Sequence, residues 1–231
     1  MINILALDTS MGACSAAVLR SGGGAGRRLF ARQETMARGH AEALMPMVAE
    51  IMEEAGLPFA DIDLIAATLG PGSFTGVRIA IAAARGLALV THAKLFGTDS
   101  LTVMARVALA GGALEAGPFA VAVDARRGML YFGLYDEAGK KREGPILIAP
   151  DEAINLLPSG LRLAVGSGAS LLAEAGGRRG HPLEAKLAEL QPSAAALAEI
   201  AFASGETVPT LRPLYLRPPD ARPQVQAVER R

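Results

Sequence analysis

Asn3-Ile4-Leu5-Ala6-Leu7-Asp8 is a short apolar stretch that ends in an aspartate, and Phe119-Ala120-Val121-Ala122-Val123-Asp124 repeats the pattern 116 residues later. Runs of this length, bounded by turn residues, predict buried strands. Each is followed by a second strand that would close a hairpin, Cys14–Leu19 in the first copy and Met129–Tyr135 in the second. Sliding the chain by 116 positions sets Asp8 on Asp124, Ala6 on Ala122, Gly12 on Gly128 and Gly23 on Gly139. Gly12 and Gly128 fall where the chain must reverse, so both are expected to use a glycine's tolerance of positive φ. Four matches in the same strand context predict an internal duplication.

Working outward, Gly22-Gly23-Gly24 makes a turn and Arg27–Thr35 a third strand. A helix at about His40–Ala55, a strand at Asp63–Thr68, a helix from about Ser73 to Val90, a strand at Lys94–Gly97 and a helix at Leu101–Leu109 complete the first half. The second half runs through a strand at Ile146–Ile148, a helix at Asp151–Leu157, a strand at Leu161–Val165 and helices from about Ser167 and about Ser193. From Pro213 the chain is too proline-rich for regular structure. Three strands in hairpins, then alternating helix and strand, twice over, resembles the actin-like ATPase superfamily. That resemblance implies an α/β fold of two duplicated actin-like (ribonuclease H-like) lobes, each a mixed sheet with flanking helices. The lobes would be residues 1–110 and 111–231, joined near Ala110–Pro118, with the last helix returning to the first lobe.

Of the 231 residues, 51% are hydrophobic, and 23 Lys and Arg balance 23 Asp and Glu. A balanced chain attracts phosphate weakly without local clustering, so any RNA would be gripped largely by a partner. Cys14 is the single cysteine, which excludes an internal disulfide. Without a signal-peptide pattern, and with apolar runs broken before bilayer length, the chain is expected to be cytoplasmic and off the membrane.

The most distinctive segment is Leu69-Gly70-Pro71-Gly72-Ser73-Phe74-Thr75-Gly76-Val77-Arg78-Ile79. It has the form of a strand end, a glycine turn and a helix start, which serves either as a tight turn or as an anion site at the helix N-terminus. It is neither a Walker loop nor a dinucleotide fingerprint, since no lysine follows and the third glycine falls one place late. The run Gly70 to Arg78 resembles the hallmark loop of the TsaB family of tRNA threonylcarbamoyladenosine biosynthesis proteins. Leu7-Asp8-Thr9-Ser10, His40-Ala41-Glu42 with Leu44 and Pro46, Asp124-Ala125-Arg126-Arg127 before Tyr131, and Leu214-Tyr215-Leu216-Arg217 agree with it. The resemblance spans nearly the whole chain. It implies a non-catalytic scaffold for threonylcarbamoylation of the adenosine next to the anticodon in tRNAs reading ANN codons. Its implied partners are TsaD, TsaE joining with TsaD, and a second copy of itself, with tRNA reached mainly through the complex.

The residues offer little independent chemistry. By resemblance a metal-binding His-x-x-x-His pair of TsaD would fall near residues 100–104, where this chain has Ser100 and Met104. His40, His92 and His181 show no ligand spacing, so no metal is expected. Actin-like kinases place a glycine two residues after each aspartate so that amides can approach phosphate. Here those positions are Ser10 and Arg126. Asp8, Thr9 and Asp124 are therefore vestigial nucleotide candidates: the aspartates could hold magnesium through water or simply tie down their hairpins. Cys14 and Ser15 lack a recognisable base. Arg126 and Arg127 could contact phosphate or be merely solvated. No catalytic residue and no cofactor are expected, and a small actin-like ATP-dependent kinase is the alternative.

Two helices of the first half are unusually apolar. Helix 40–55 repeats Leu44, Met45, Val48, Ile51 and Met52 at helical spacing, and helix 73–90 has Arg78 and Arg85 as its only charges. Small residues at Gly76, Ala80, Ala83, Ala84 and Gly86 would let another helix approach. The family is described as pairing through these helices, so the expected interface is Leu44, Met45, Val48, Met52, Gly76, Ala80, Ala83 and Leu87. A charge at Ala80 or Ala83 is then expected to separate chains without unfolding them.

Overall fold

The computed structural model describes residues 2–22, 26–112 and 117–217. The expected turn glycines Gly23 and Gly24, part of the linker and the tail beyond Arg217 lie outside the described residues.

Among the described residues ten strands and six helices follow one another as β1 (Ile2–Asp8), β2 (Ala13–Ser21), β3 (Arg27–Thr35), α1 (His40–Glu54), β4 (Leu64–Thr68), α2 (Phe74–Thr91), β5 (Lys94–Thr98), α3 (Ser100–Ala110), β6 (Phe119–Asp124), β7 (Leu130–Tyr135), β8 (Lys141–Ile148), α4 (Pro150–Ala153), β9 (Leu163–Val165), α5 (Ala169–Arg178), β10 (Glu184–Lys186) and α6 (Ala194–Ser204). They build two five-stranded sheets, ordered β3-β2-β1-β4-β5 and β8-β7-β6-β9-β10. In each sheet the first three strands are antiparallel neighbours, the fourth pairs parallel with the first, and the fifth pairs parallel with the fourth. The duplication is thus present at the level of topology, and the molecule is α/β, two mixed five-stranded sheets with flanking helices.

The alternation of side chains sets the layers. Leu5 and Leu7 of β1 face α1 and α2, with Cys14, Ala16, Val18, Ile65 and Ala67 on the same side. Ile4 and Ala6 face the other way, onto Leu197, Ala198 and Ala201 of α6. Conversely α3, which precedes the second sheet in the chain, packs Leu101, Met104, Ala105 and Ala108 against Phe119, Val121, Val123 and Tyr135. Each sheet therefore has one face covered by the last helix of the other half. Ser15 Oγ accepts the Ala194 amide at 3.0 Å, which seats the start of α6 on β2.

Several expectations need adjustment. The register pairs Asp8 with Ser15 but Asp124 with Leu130, so the second hairpin is one residue shorter and the 116-residue slide holds only for its first strand. Gly128 has φ 71°, whereas Gly12 is not left-handed. The longer first turn removes that need, and Gly12 instead accommodates Gln191, whose Oε1 accepts its amide at 2.8 Å. β8 starts at Lys141, not Ile146, and the helix expected at 151–157 is one α turn followed by a 3-10 turn, Ile154–Leu156. The three-residue β10 had no sequence signal, being Glu-Ala-Lys on a sheet edge.

Candidate functional site

The glycine loop meets the first aspartate at the carboxyl end of β1. Asp8 is buried, with Oδ1 accepting from the Thr68 hydroxyl at 2.5 Å and the Ser10 amide at 3.0 Å, and Oδ2 from the Ser10 hydroxyl at 3.3 Å. Burial pushes its carboxyl above the usual range, against the lowering effect of those hydrogen bonds. Residues 70–76 lie directly on this turn. The Ser73 amide donates to Ser10 O at 2.7 Å, and the Thr9 hydroxyl donates to Gly76 O at 2.6 Å. A Cβ on Gly72 would stand 2.1 Å from Ser10 O, and one on Gly76 2.0 Å from Thr9 O. These glycines serve close backbone packing. Ser73 caps α2 by accepting the Gly76 amide at 3.2 Å.

The second half repeats the arrangement loosely. The Arg126 amide donates to Asp124 Oδ1 at 2.7 Å, as Ser10 does to Asp8, so each aspartate holds its own turn. Asp124 is more open, its side chain 30% exposed, and a Cβ on the neighbouring Gly168 would lie 3.0 Å from its amide. Ser100 is buried with its hydroxyl on Pro71 O, and Met104 is buried in the core behind α3. His40 Nε2 lies 3.0 Å from Met11 O, His181 Nε2 lies 3.1 Å from Leu161 O, and His92 caps α2. Among the described residues no three His, Cys, Asp or Glu side chains gather as metal ligands. Burial pushes the Cys14 thiol up to about 11, which leaves it protonated and unreactive at neutral pH.

The helix pair presents a different face from the expected one. Leu44, Val48, Met52 and Ala80 are buried among the protein's own β1, β2 and β4 side chains, and Gly76 is buried against Thr9 O, so none of the five presents an exposed side chain. Their spacing marks the stripe that faces the sheet, and composition alone does not separate that stripe from its neighbour. Ala83 and Leu87 are half-buried at its edge, and Met45 is 43% exposed. The outer face of α2 is instead Ala82, Gly86, Leu89 and Val90, with Leu89 78% and Val90 72% exposed. Apolar surface beside small residues is thus left uncovered on this side of α2. Among the described residues α2 is also the one helix long and apolar enough to cross a membrane, with mean hydropathy 1.4. Arg78, Arg85 and Gly86 nevertheless interrupt its apolar run. Burial of Val77, Ala80, Ile81 and Ala84 against the sheet is the behaviour of a core helix with one uncovered side.

The proline-rich segment is a strap across this lobe. Val208 N donates to Leu95 O at 2.8 Å, Leu211 is buried in the first core, and Leu214 N donates to Leu69 O at 2.7 Å. Tyr215 stacks on Phe74 with centroids 5.4 Å apart, the Arg78 guanidinium lies 3.6 Å from the Phe74 centroid, and Arg78 Nε donates to Tyr215 Oη at 2.7 Å. Leu214–Arg217, one of the stretches that carry the family resemblance, is thereby joined to the glycine loop, a contact between distant residues that no local pattern marks.

Comparison with known proteins places this geometry. The family model for tRNA N6-adenosine threonylcarbamoyltransferase matches residues 32–206. The tRNA threonylcarbamoyladenosine biosynthesis protein TsaB of Escherichia coli is 35% identical over 94% of this chain and 95% of that protein. A solved structure of YeaZ from Pseudomonas aeruginosa, 32% identical, superposes with a TM-score of 0.74 over 94% of this chain and all of that one. A tRNA N6-adenosine threonylcarbamoyltransferase of Erythrobacter litoralis is 43% identical, but over only 29% of this chain and 20% of that protein. The match to the Escherichia coli TsaB spans nearly the whole of both chains, whereas the match to the Erythrobacter litoralis transferase is local. The chain belongs to the TsaB family of tRNA threonylcarbamoyladenosine biosynthesis proteins.

Proposed function

We propose that the chain is a non-catalytic subunit that binds the transferase TsaD, and through that pair TsaE, in the complex that threonylcarbamoylates the adenosine next to the anticodon of ANN-reading tRNAs. The observation that carries this reading is the uncovered outer face of α2, where Leu89 and Val90 are exposed beside Ala82 and Gly86. An apolar face with small residues suits a partner helix, of a second copy or of TsaD, and the two would compete for it. The packing of residues 70–76 on Thr9 and Ser10 supports the non-catalytic part: a kinase needs that turn open to phosphate, and here a methyl group does not fit.

The test is a Leu89→Glu/Gly86→Gln variant, because both sites are exposed and an added side chain at Gly86 meets open space. Its circular dichroism should match the parent, while sedimentation shows a monomer and TsaD no longer co-purifies. Retention of both associations in a folded variant would place the interface elsewhere. A magnesium–ATP titration followed by thermal shift serves the kinase alternative, for which a saturable rise of several degrees would be required.

A further inference from the structure

The β6–β7 turn carries residues that its backbone does not favour. Arg126 has φ 64°, Arg127 φ 57° and Gly128 φ 71°, three left-handed residues in succession. That conformation presses Cβ toward the next carbonyl oxygen, so glycine, asparagine or aspartate ordinarily holds it. Two arginines here suggest that the side chains matter more than the turn. The Arg126 side chain is 85% exposed, and its ion pair with Asp124 at 3.5 Å is weak in water. Arg217 arrives at the same turn from the strap, with its guanidinium 3.4 Å from Arg126 O. Two residues earlier, Tyr215 is 45% exposed in its stack on Phe74, itself 48% exposed, beside Arg78. Guanidinium groups and half-exposed rings thus alternate along one strip, from the start of α2 over the strap to the β6–β7 turn.

We infer that this strip binds an unpaired segment of RNA, with phosphates on Arg126 and Arg217 and a base stacked on Tyr215. Single strands are held this way: arginines follow the backbone, and an aromatic ring accepts any base on its face. The choice of RNA rests on the proposed function. The charge-balanced chain makes this an auxiliary contact that adds to a partner's grip. Helix α2 begins at the strip and carries the uncovered face eight or more residues further on, about 12 Å away at 1.5 Å per residue. RNA held by a partner on that face could extend onto the strip.

The experiment uses the full chain co-purified with TsaD. Its probe is a labelled anticodon stem–loop of an ANN-reading tRNA, followed by anisotropy at several salt concentrations. Arg126→Gly/Arg217→Gln should weaken binding about tenfold and flatten the salt dependence by roughly one to two phosphate contacts. Glycine suits the left-handed backbone at 126, so this variant keeps the turn. Tyr215→Ala should weaken binding to the stem–loop several-fold and leave binding to a blunt duplex of equal length unchanged. Parental affinity in both variants overturns the inference. So does loss of TsaD from the variants, which would make the strip a protein contact. Should the parent chain fail to hold TsaD yet bind the stem–loop alone, with the same losses in the variants, the scaffold reading falls and this one stands.

Discussion

At Gly76 a methyl group in place of hydrogen would lie 2.0 Å from Thr9 O, inside any permitted contact, and the obstacle is backbone that cannot swing away. Gly76→Ala is therefore expected to cost about 1–3 kcal/mol, typical of overpacking, and to lower Tm by about 2–4 °C per kcal/mol. Thermal unfolding followed by circular dichroism checks it, and an unchanged Tm would mean the loop does not rest on residues 9–10. Asp8 gives a prediction with a sign. Its folded-state pKa is raised by burial, so the folded state holds the proton more tightly than the unfolded chain. The stability Asp8 contributes is fully present below the ordinary value of 3.8 and is lost as pH rises through the raised folded pKa. Asp8→Asn keeps an acceptor for Thr68 and Ser10, and should flatten the stability–pH curve above pH 3.8 without lowering stability at pH 7. Urea unfolding across pH tests it; a variant strongly destabilised at pH 7 would show that the carboxylate is needed charged. Asp8→Ala should instead cost about 1–3 kcal/mol, since it strands buried donors.

On the scale of single elements, the two sides of α2 differ: one is buried on the sheet and the other is uncovered. Its inner stripe, Val77, Ala80, Ile81 and Ala84, holds the sheet, while Gly86 has nothing within 4 Å of where its Cβ would be. Gly86→Ala should raise the stability of the isolated chain by about 0.5–1 kcal/mol through helix propensity. A substitution at Ala80 that adds charge should unfold the lobe, because Ala80 is wholly buried. Comparing Tm for Gly86→Ala and Ala80→Glu separates the faces; equal tolerance at both would contradict this orientation of α2. Hydrophobic periodicity could not decide it, because almost every position of the helix is apolar and the amphipathic contrast that marks an inner face is missing.

In the molecule as a whole, each half completes the other. Helix α6 supplies Leu197, Ala198 and Ala201 to the first sheet, and α3 supplies Leu101, Met104 and Ala105 to the second. The strap adds Leu211 to the first core. A fragment of residues 1–112 should therefore not fold cooperatively, since Ile4, Ala6 and Leu19 would face water, and a peptide of residues 189–217 added in trans should restore native circular dichroism. A fragment that folds sharply alone would show that α6 and the strap are dispensable.

The order of strands and helices apart from β10, the duplication and the family were legible in the sequence itself. They rest on local patterns: apolar runs ending at Asp8 and Asp124, periodic helices, and a loop of glycines between Leu69 and Arg78. Short-range physics writes those patterns into neighbouring residues, where one chain suffices to read them. Three matters only the tertiary structure decided. One is that Gly72 and Gly76 press on Thr9 and Ser10, a contact between residues more than sixty positions apart. Another is which side of α2 the sheet consumes, leaving Leu89 and not Ala80 outside. The last is that Tyr215 and Arg217 come to rest beside Phe74 and Arg126. All three depend on which surfaces meet once the sheets are stacked, and no local pattern encodes a meeting between distant parts of the chain.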